Sequence, residues 1–153
     1  MTIEEKLAEH GITLPAPAVP VASYLPAVEA GGLLHISGQI SMDEEGSLIT
    51  GTLGKDLDVA EGQAAAERCG VMLIAQMKKA LGSLDRVERI VKLGGFVNST
   101  PDFTDQPKVV NGASDLMQLA FGDAGRHARS AVGVNTLPLG VAVEVDAIVK
   151  VRD

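Results

Sequence analysis

Two charged side chains, Arg129 and Glu144, stand out in the apolar C-terminal stretch HARSAVGVNTLPLGVAVEVDAIVKVRD. Both fall in segments rich in β-branched residues with apolar–polar alternation, which predicts two β-strands, and we expect these strands to be neighbours. A guanidinium carries a planar fork of donors that matches a carboxylate and keeps its charge at any working pH. Arg129 is therefore a candidate anchor for a small acid, and Glu144 is a candidate for orienting water or moving a proton.

The same two charges also have a simpler interpretation. On neighbouring strands, Arg129 and Glu144 would form a cross-strand ion pair or point into solvent. Exposed pairs of this kind are common and contribute little to stability. The spacing of the two residues does not decide between a binding site and a surface ion pair.

The composition argues against several classes of function. The chain has 153 residues, which suits one domain, and its net charge of −7 repels polyanions. With one Tyr, three Phe and no Trp there are few side chains on which bases could stack, so nucleic-acid binding is disfavoured. His10, His35 and His127 lie too far apart for a recognised metal-ligand spacing. Cys69 lies in a helical pattern and is expected to be a buried thiol, not a nucleophile.

Two features predict a cytoplasmic protein with no contact with a membrane. The longest apolar runs, such as Val71 to Ala75, are far shorter than the roughly 20 residues of a membrane span. The first residues, MTIEEKLAEHG, are acidic and lack the basic start and apolar core of a signal peptide.

The N-terminal residues carry the pattern of a short helix. Thr2 and Glu5 form a reciprocal capping box, and Gly11 is a helix stop. We expect residues 1–17 to be a helical extension and residues 18–153 to form a single domain.

Four segments predict the sheet. LLHISGQI alternates, with Leu34, Ile36 and Ile40 expected on one face and His35, Ser37 and Gln39 on the other. RVERIVKLGGFVNS predicts a second strand, in which Gly94-Gly95 indicates a bulge or a close approach to a neighbour. The last two strands are expected over residues 128–134 and 141–152, and the latter has apolar residues at every odd position.

Two longer helices complete the expected fold. Asp58 and Glu61 predict the start of a helix that ends at Gly82, and a second helix is expected over residues 106–121, ending at Gly122. Helices separated by strands with one apolar face predict an α+β two-layer sandwich, a mixed sheet with two helices on one face.

The side chains on the opposite face of this sheet are expected to be small or neutral, which is unusual for a fully solvated face. Its expected members are His35, Ser37, Gln39, Ala131, Gly133 and Ala142. Such a face suits packing against other subunits, so we expect an oligomer.

Several motifs together resemble the YjgF/Rid family of enamine/imine deaminases, also called endoribonuclease L-PSP. They are SGQI at residues 37–40, FVNSTPDF at residues 96–103, and ARSAVGVNTLP with VEVDAI near the end. The resemblance runs from about Tyr24 to Arg152 and suggests the longer, chorismate-mutase-like branch. It implies the fold of the small trimeric chorismate mutase, a homotrimer, and pockets between subunits.

The resemblance also implies roles for individual residues. The arginine that binds the substrate carboxylate falls on Arg129, and the acid that positions the hydrolytic water falls on Glu144. Tyr24 and Asn111 would line the pocket, although a half-buried tyrosine and a helix-surface asparagine are equally ordinary interpretations. The backbone carbonyl of Ala131 would hold water. No metal and no organic cofactor is implied.

The chain departs from the family pattern at several positions. Ala131 stands where many deaminases have cysteine, Gly133 where active members often have an acid, and Gly70 where many relatives have asparagine. These departures leave the substrate range open. His127 occupies a position that is usually proline, and we expect it at the rim of the site, although its pKa range would allow proton transfer.

The leading hypothesis is hydrolytic deamination of small 2-imino or enamine acids to 2-keto acids and ammonia, with a small carboxylate metabolite as partner. A non-catalytic module that binds carboxylates at a subunit interface is the main alternative. An endoribonuclease is opposed by the acidic charge and the scarce aromatic residues. Chorismate rearrangement is disfavoured because it needs several cationic groups around a dianion, and the motif places only Arg129.

Overall fold

The computed structural model describes residues 1–17 and 19–153. The helices and strands, in chain order, are α1 (Ile3–Glu9), β1 (Ala27–Ala30), β2 (Leu33–Ile40), α2 (Val59–Leu81), β3 (Val87–Asn98), α3 (Gln106–Phe121), β4 (Ala128–Val134) and β5 (Val143–Val151). The expected boundary between an extension and a domain falls at Ala18, outside the described residues, and that division stays a prediction.

The five strands form one mixed sheet in the order β1-β2-β5-β3-β4. Strands β3 and β4 are parallel, and the other neighbours are antiparallel. The α+β sandwich is confirmed, with α2 and α3 packed on one face of the sheet. The expectation that the strands of Arg129 and Glu144 are neighbours is wrong, because β3 lies between β4 and β5.

Helix α2 begins and ends where its sequence predicts. The Asp58 side chain accepts from the Glu61 backbone N–H at 2.8 Å, and the Glu61 side chain accepts from the Asp58 backbone N–H at 3.1 Å. Gly82 follows the last turn with a φ of 81°, a left-handed conformation that glycine adopts without steric cost. Helix α3 also has its predicted bounds.

The short helix α1 is tied to the main core. Its capping box is formed by Thr2 and Glu5 as predicted. Leu7 is only 1% exposed and belongs to the same cluster of buried residues as the sheet and the long helices. Burial of this side chain against the core is what holds a helix too short to be stable alone.

A β-bulge in β2 changes which residues face the helices. Ile36 pairs with Ala147 and Gln39 with Val145, so three steps along β2 match two along β5. Beyond the bulge Gln39 therefore faces the helices, and the Gln76 side chain of α2 donates to its Oε1 at 3.3 Å. The predicted alternation is correct for Leu34 and Ile36 and wrong for Gln39 and Ile40.

The two central glycines of β3 do not form a bulge. The register shifts of β3 lie between Val87 and Lys92, before Gly94-Gly95. A Cβ added at Gly95 would lie 2.7 Å from Val110 of α3, and one added at Gly94 would overlap the Asp146 carboxylate. Of the two predicted interpretations, the close approach is therefore correct.

The face of the sheet away from α2 and α3 is called the open face here. It carries His35, Ile40, Phe96, Ser130, Val132, Glu144 and Asp146. Four residues expected on it lie elsewhere: Gln39 faces α2, Ala131 packs against the core on the helix side, a Cβ at Gly133 would lie 2.6 Å from Ser99 and Gln106, and Ala142 is fully buried. Over the described residues, no helix has the length and apolar character needed to cross a membrane.

Candidate functional site

Arg129 lies on the edge strand β4 and faces the helices. Its Cα pairs with that of Leu93, which is fully buried in the core, so the two side chains leave the sheet on the same side. The Arg129 Nη1 donates to Asn111 Oδ1 at 2.8 Å and to Ser114 Oγ at 3.1 Å. Two residues on successive turns of α3 therefore hold one end of the guanidinium in place.

The guanidinium retains donors for a ligand. Its Nη2 donates to the Pro107 carbonyl oxygen at 3.3 Å, a long contact. Since a guanidinium has five N–H groups, Nε–H and one Nη2–H have no partner within the described part of the chain. A partly exposed arginine with two free donors can bind a carboxylate through charge-assisted hydrogen bonds.

His127 joins this group through Ser114. Its Nε2 lies 2.9 Å from Ser114 Oγ, and its Nδ1 donates to the Gly125 carbonyl oxygen at 2.6 Å. Burial lowers the pKa of His127, and the charge of Arg129 lowers it further, against the raising effect of the Gly125 carbonyl. His127 is thus part of the network behind Arg129, and not simply a rim residue.

We call Arg129, Asn111, Ser114 and His127 the arginine half-site. Ser114 was not among the residues singled out from the sequence, although it is one turn of helix beyond Asn111 and therefore shares its face. Sequence spacing could have found it only once Asn111 was known to face Arg129.

Glu144 projects from the open face of β5. Its Cα pairs with those of Ile40 and Phe96, and its carboxylate lies against the backbone of Gly38 at the β2 bulge. Partial burial raises the pKa of Glu144, and the neighbouring Asp146 raises it further. The pKa of Asp146 is also raised by burial, against the lowering effects of the Gly94 backbone and Lys92. We call Glu144, Asp146 and Gly38 the glutamate half-site.

Tyr24 lies on the side of the glutamate half-site. It is 56% exposed and lines a cavity of about 190 Å³ together with Gly38, Gln39, Met72 and Gln76. Gly38 belongs both to this cavity and to the surroundings of Glu144. Tyr24 and Asn111, two residues expected to line one pocket, therefore belong to different parts of a single chain.

Arg129 and Glu144 form no ion pair. They leave opposite faces of the sheet and are separated by β3. The simple interpretation of a cross-strand pair is therefore wrong. Both charges can act on one small molecule only if two copies of the chain contribute.

The remaining candidates have structural roles. Cys69 is buried as predicted; its thiol donates to the Val143 carbonyl oxygen at 3.4 Å, and burial raises its pKa. Within the described residues, no group of three His, Cys, Asp or Glu side chains is arranged to hold a metal ion. Gly70 packs against Leu116 of α3, where a Cβ would lie 2.9 Å from the leucine side chain.

A family model described as "YjgF/chorismate_mutase-like, putative endoribonuclease" matches residues 4–149. The chain belongs to this family. The YjgF-family assignment covers the strands and helices of both half-sites, and it confirms the resemblance seen in the sequence.

Relatives of this YjgF-family chain carry different names. It is 52% identical over 152 residues to "Protein TCP17" of Trypanosoma cruzi, covering 99% of this chain and 95% of the relative. It is 27% identical over 144 residues to "2-iminobutanoate/2-iminopropanoate deaminase" of Dermatophagoides farinae, covering 92% and 95%. A crystal structure described as "a putative endoribonuclease" from Shewanella oneidensis superposes with a TM-score of 0.94 at 35% identity, covering 99% of this chain and 100% of the other.

Proposed function

We propose that this protein is a hydrolase that deaminates small 2-imino acids and their enamine tautomers to 2-keto acids and ammonia. The observation that carries the proposal is the Arg129 guanidinium, whose Nη1 is held by Asn111 and Ser114 while Nε–H and an Nη2–H remain available. A planar donor pair of this kind suits the carboxylate shared by substrate and product. The relative named as an iminobutanoate/iminopropanoate deaminase supports the same chemistry.

The reaction needs the substrate and water to be oriented and protons to be transferred more than it needs the imine carbon to be activated. Water adds to the imine carbon, and the C=N π electrons become a lone pair on nitrogen, which takes up a proton to give a carbinolamine. As the C–N bond breaks, its electron pair stays on nitrogen and the hydroxyl proton is transferred to that nitrogen, leaving a keto group and ammonia. Holding the carboxylate at Arg129 would fix the imine carbon relative to the attacking water.

Glu144 would act as the general base for this water. A carboxylate accepts a proton from water more effectively when its pKa is closer to the working pH. Burial and the nearby Asp146 raise the pKa of Glu144 in that direction. The Ala131 carbonyl, on the same strand as Arg129, would hold the water on the other side.

The site would form between copies of the chain. Because the arginine and glutamate half-sites leave opposite faces of the sheet, the Arg129 of one copy would meet the Glu144 of another. A homotrimer, as in the family to which the sequence is similar, would give such a contact. The exposed Val132 and the half-buried Ile40 and Phe96 on the open face are suited to burial in an oligomer.

The proposal is tested by measuring ammonia and keto acid released from imines generated in situ from small amino acids. We expect both products in equal amounts from the native chain and at least about 100-fold slower release from Arg129→Ala, because two charge-assisted hydrogen bonds are lost. Arg126→Ala, which removes a nearby exposed charge, is the matched control and should keep full activity.

If the native chain released no ammonia or keto acid from any imino acid of a panel, the enzyme assignment would be contradicted. If a keto acid then still raised the melting temperature through Arg129, the chain would be a carboxylate-binding module. Cleavage of RNA by the native chain, lost in Arg129→Ala, would favour the endoribonuclease instead.

A further inference from the structure

A chain of hydrogen bonds leads from the backbone to the arginine half-site. The Gly125 carbonyl oxygen can only accept, so His127 Nδ1 carries the hydrogen at 2.6 Å. In the neutral ring, Nε2 is then an acceptor, and the Ser114 hydroxyl donates to it at 2.9 Å. The tautomer of His127 is therefore set by one backbone carbonyl.

The tautomer in turn orients the hydroxyl toward Arg129. With its hydrogen committed to His127, Ser114 Oγ presents lone pairs to Arg129 Nη1 at 3.1 Å. Asn111 Oδ1 accepts the other Nη1 hydrogen at 2.8 Å. The two acceptors fix the plane of the guanidinium, and its opposite edge is left for a ligand.

We infer that Ser114 and His127 are positioning residues for the Arg129 carboxylate site, and that a carboxylate at Arg129 and a proton on His127 bind cooperatively. The inference rests on the proposed function, since it requires a carboxylate at Arg129. It adds that the strength of this site depends on the charge of a histidine that does not touch the ligand.

The electrostatics give the sign of the coupling. The elements around His127 carry these charged side chains: Arg129 on β4, Glu88, Arg89 and Lys92 on β3, Lys108 and Asp115 on α3, and Asp123 and Arg126 in the turn before β4. Among them, Arg129 is the one whose charge lowers the pKa of His127. A carboxylate bound to Arg129 compensates this charge and raises the pKa of His127. By linkage, protonation of His127 must then tighten carboxylate binding by the same factor.

The coupling is measured by NMR with pyruvate as the probe. In a His10→Gln, His35→Gln variant, His127 is the only histidine and its ring signals can be titrated without ambiguity. We expect saturating pyruvate to raise the pKa of His127 and the Kd for pyruvate to fall about fivefold as His127 becomes protonated. A titration curve that pyruvate leaves unchanged, while pyruvate binds, would overturn the inference and leave the proposed function intact.

Variants at position 127 separate positioning from charge. His127→Gln retains an acceptor for the Ser114 hydroxyl but cannot be protonated, whereas His127→Leu removes the acceptor. Above the pKa of His127, we expect His127→Gln to bind pyruvate like the native chain and His127→Leu to bind it about tenfold more weakly, as for one lost hydrogen bond. Equal Kd values for the native chain and both variants would overturn the positioning role.

The pH dependence of pyruvate binding has a second source in Glu144, whose pKa is raised by partial burial. The decisive quantity is therefore the difference between the native chain and His127→Gln over the same pH series. If the Kd for pyruvate changed with pH in the same way in the native chain and in His127→Gln, the coupling would be overturned. If the native chain binds no pyruvate at any pH, or Arg129→Ala binds it equally well, both the inference and the carboxylate anchor of the proposed function are contradicted.

Discussion

At the scale of the residue, the arginine half-site depends on the shape of the guanidinium as well as its charge. Two of its donors are used by side chains of α3 and one by the backbone carbonyl of Pro107, so orientation and ligand binding are shared among N–H groups of the same planar unit. A lysine ammonium has three donors at one point and cannot satisfy Asn111, Ser114 and a carboxylate in the same plane.

Arg129→Lys should therefore fail as a conservative substitution. We expect the KM for the imino acid to rise about tenfold or more with a smaller change in kcat, because the charge remains while the paired hydrogen bonds are lost. Steady-state kinetics of keto acid release measure this. A Lys variant with native KM would show that charge alone anchors the substrate.

The pH dependence of the rate should follow the ionisation of Glu144, which Asp146 opposes in part. Glu144 must be ionised to act as a base, so the rate should rise as pH increases through its raised pKa. Asp146→Asn removes a negative charge that raises this pKa, and the acid limb of kcat/KM should move to lower pH. Glu88→Gln, which removes a carboxylate paired with Lys150 at 2.9 Å, is the control and should leave the limb in place.

The ionised Glu144 carboxylate should also lower the free energy of unfolding at neutral pH. Its pKa is raised above the ordinary value of 4.5, so the folded chain binds the proton more tightly than the unfolded chain. The free energy of unfolding therefore falls as pH rises through this window, and the cost is fully present above the folded pKa. We expect Glu144→Gln to melt higher than the native chain near neutral pH, with the difference vanishing in acid. An equal or lower melting temperature across the whole range would contradict this.

At the scale of the element, the β2 bulge determines the surroundings of Glu144. The extra residue turns Gln39 toward α2 and brings Gly38 against the Glu144 carboxylate. Gly38 does not have a positive φ, so its backbone would accept alanine and only the space occupied by Glu144 opposes a side chain there.

Gly38→Ala should displace the Glu144 carboxylate without unfolding the chain. We expect kcat to fall about tenfold to 100-fold, since small displacements of catalytic groups have effects of this order. A double-mutant cycle with Glu144→Ala supplies the control, because the stability cost of Gly38→Ala should disappear when the carboxylate is gone. Additive stability changes would show that the Cβ conflicts with something else.

At the scale of the whole molecule, the two half-sites are separated by the sheet itself. Strand β3 lies between β4 and β5, and Arg129 and Glu144 leave opposite faces. The proposed deaminase site would therefore be complete only when the open face of one copy meets the edge strand of another.

This arrangement predicts subunit complementation. Arg129→Ala and Glu144→Gln should each be inactive, but hetero-oligomers refolded from an equal mixture should recover activity. About one quarter of sites would combine an intact Arg129 with an intact Glu144, because each half-site is intact in half of the chains and cyclic symmetry gives one such contact per subunit. If the mixtures were as inactive as either variant alone, Arg129 and Glu144 of a site would have to come from the same chain.

Features local in sequence were predictable for a physical reason. A capping box and a glycine stop set the ends of α2, a glycine stop ends α3, and the apolar odd positions of β5 follow from strand geometry. The family could also be recognised from short motifs. The resemblance implied that Asn111 lines the pocket of Arg129, but the hydrogen bond between the two side chains was found only in the structure.

By itself, then, the sequence determined the three helices, four of the five strands and the family of the chain, because each depends on neighbours within a few residues. Strand β1 (Ala27–Ala30) was not predicted. Only the tertiary structure decided the strand order, the bulge at Gly38 and the link from His127 through Ser114 to Arg129. Strand order and register are set by hydrogen bonds between segments far apart in the chain, and one extra residue in a strand moves every later side chain to the other face.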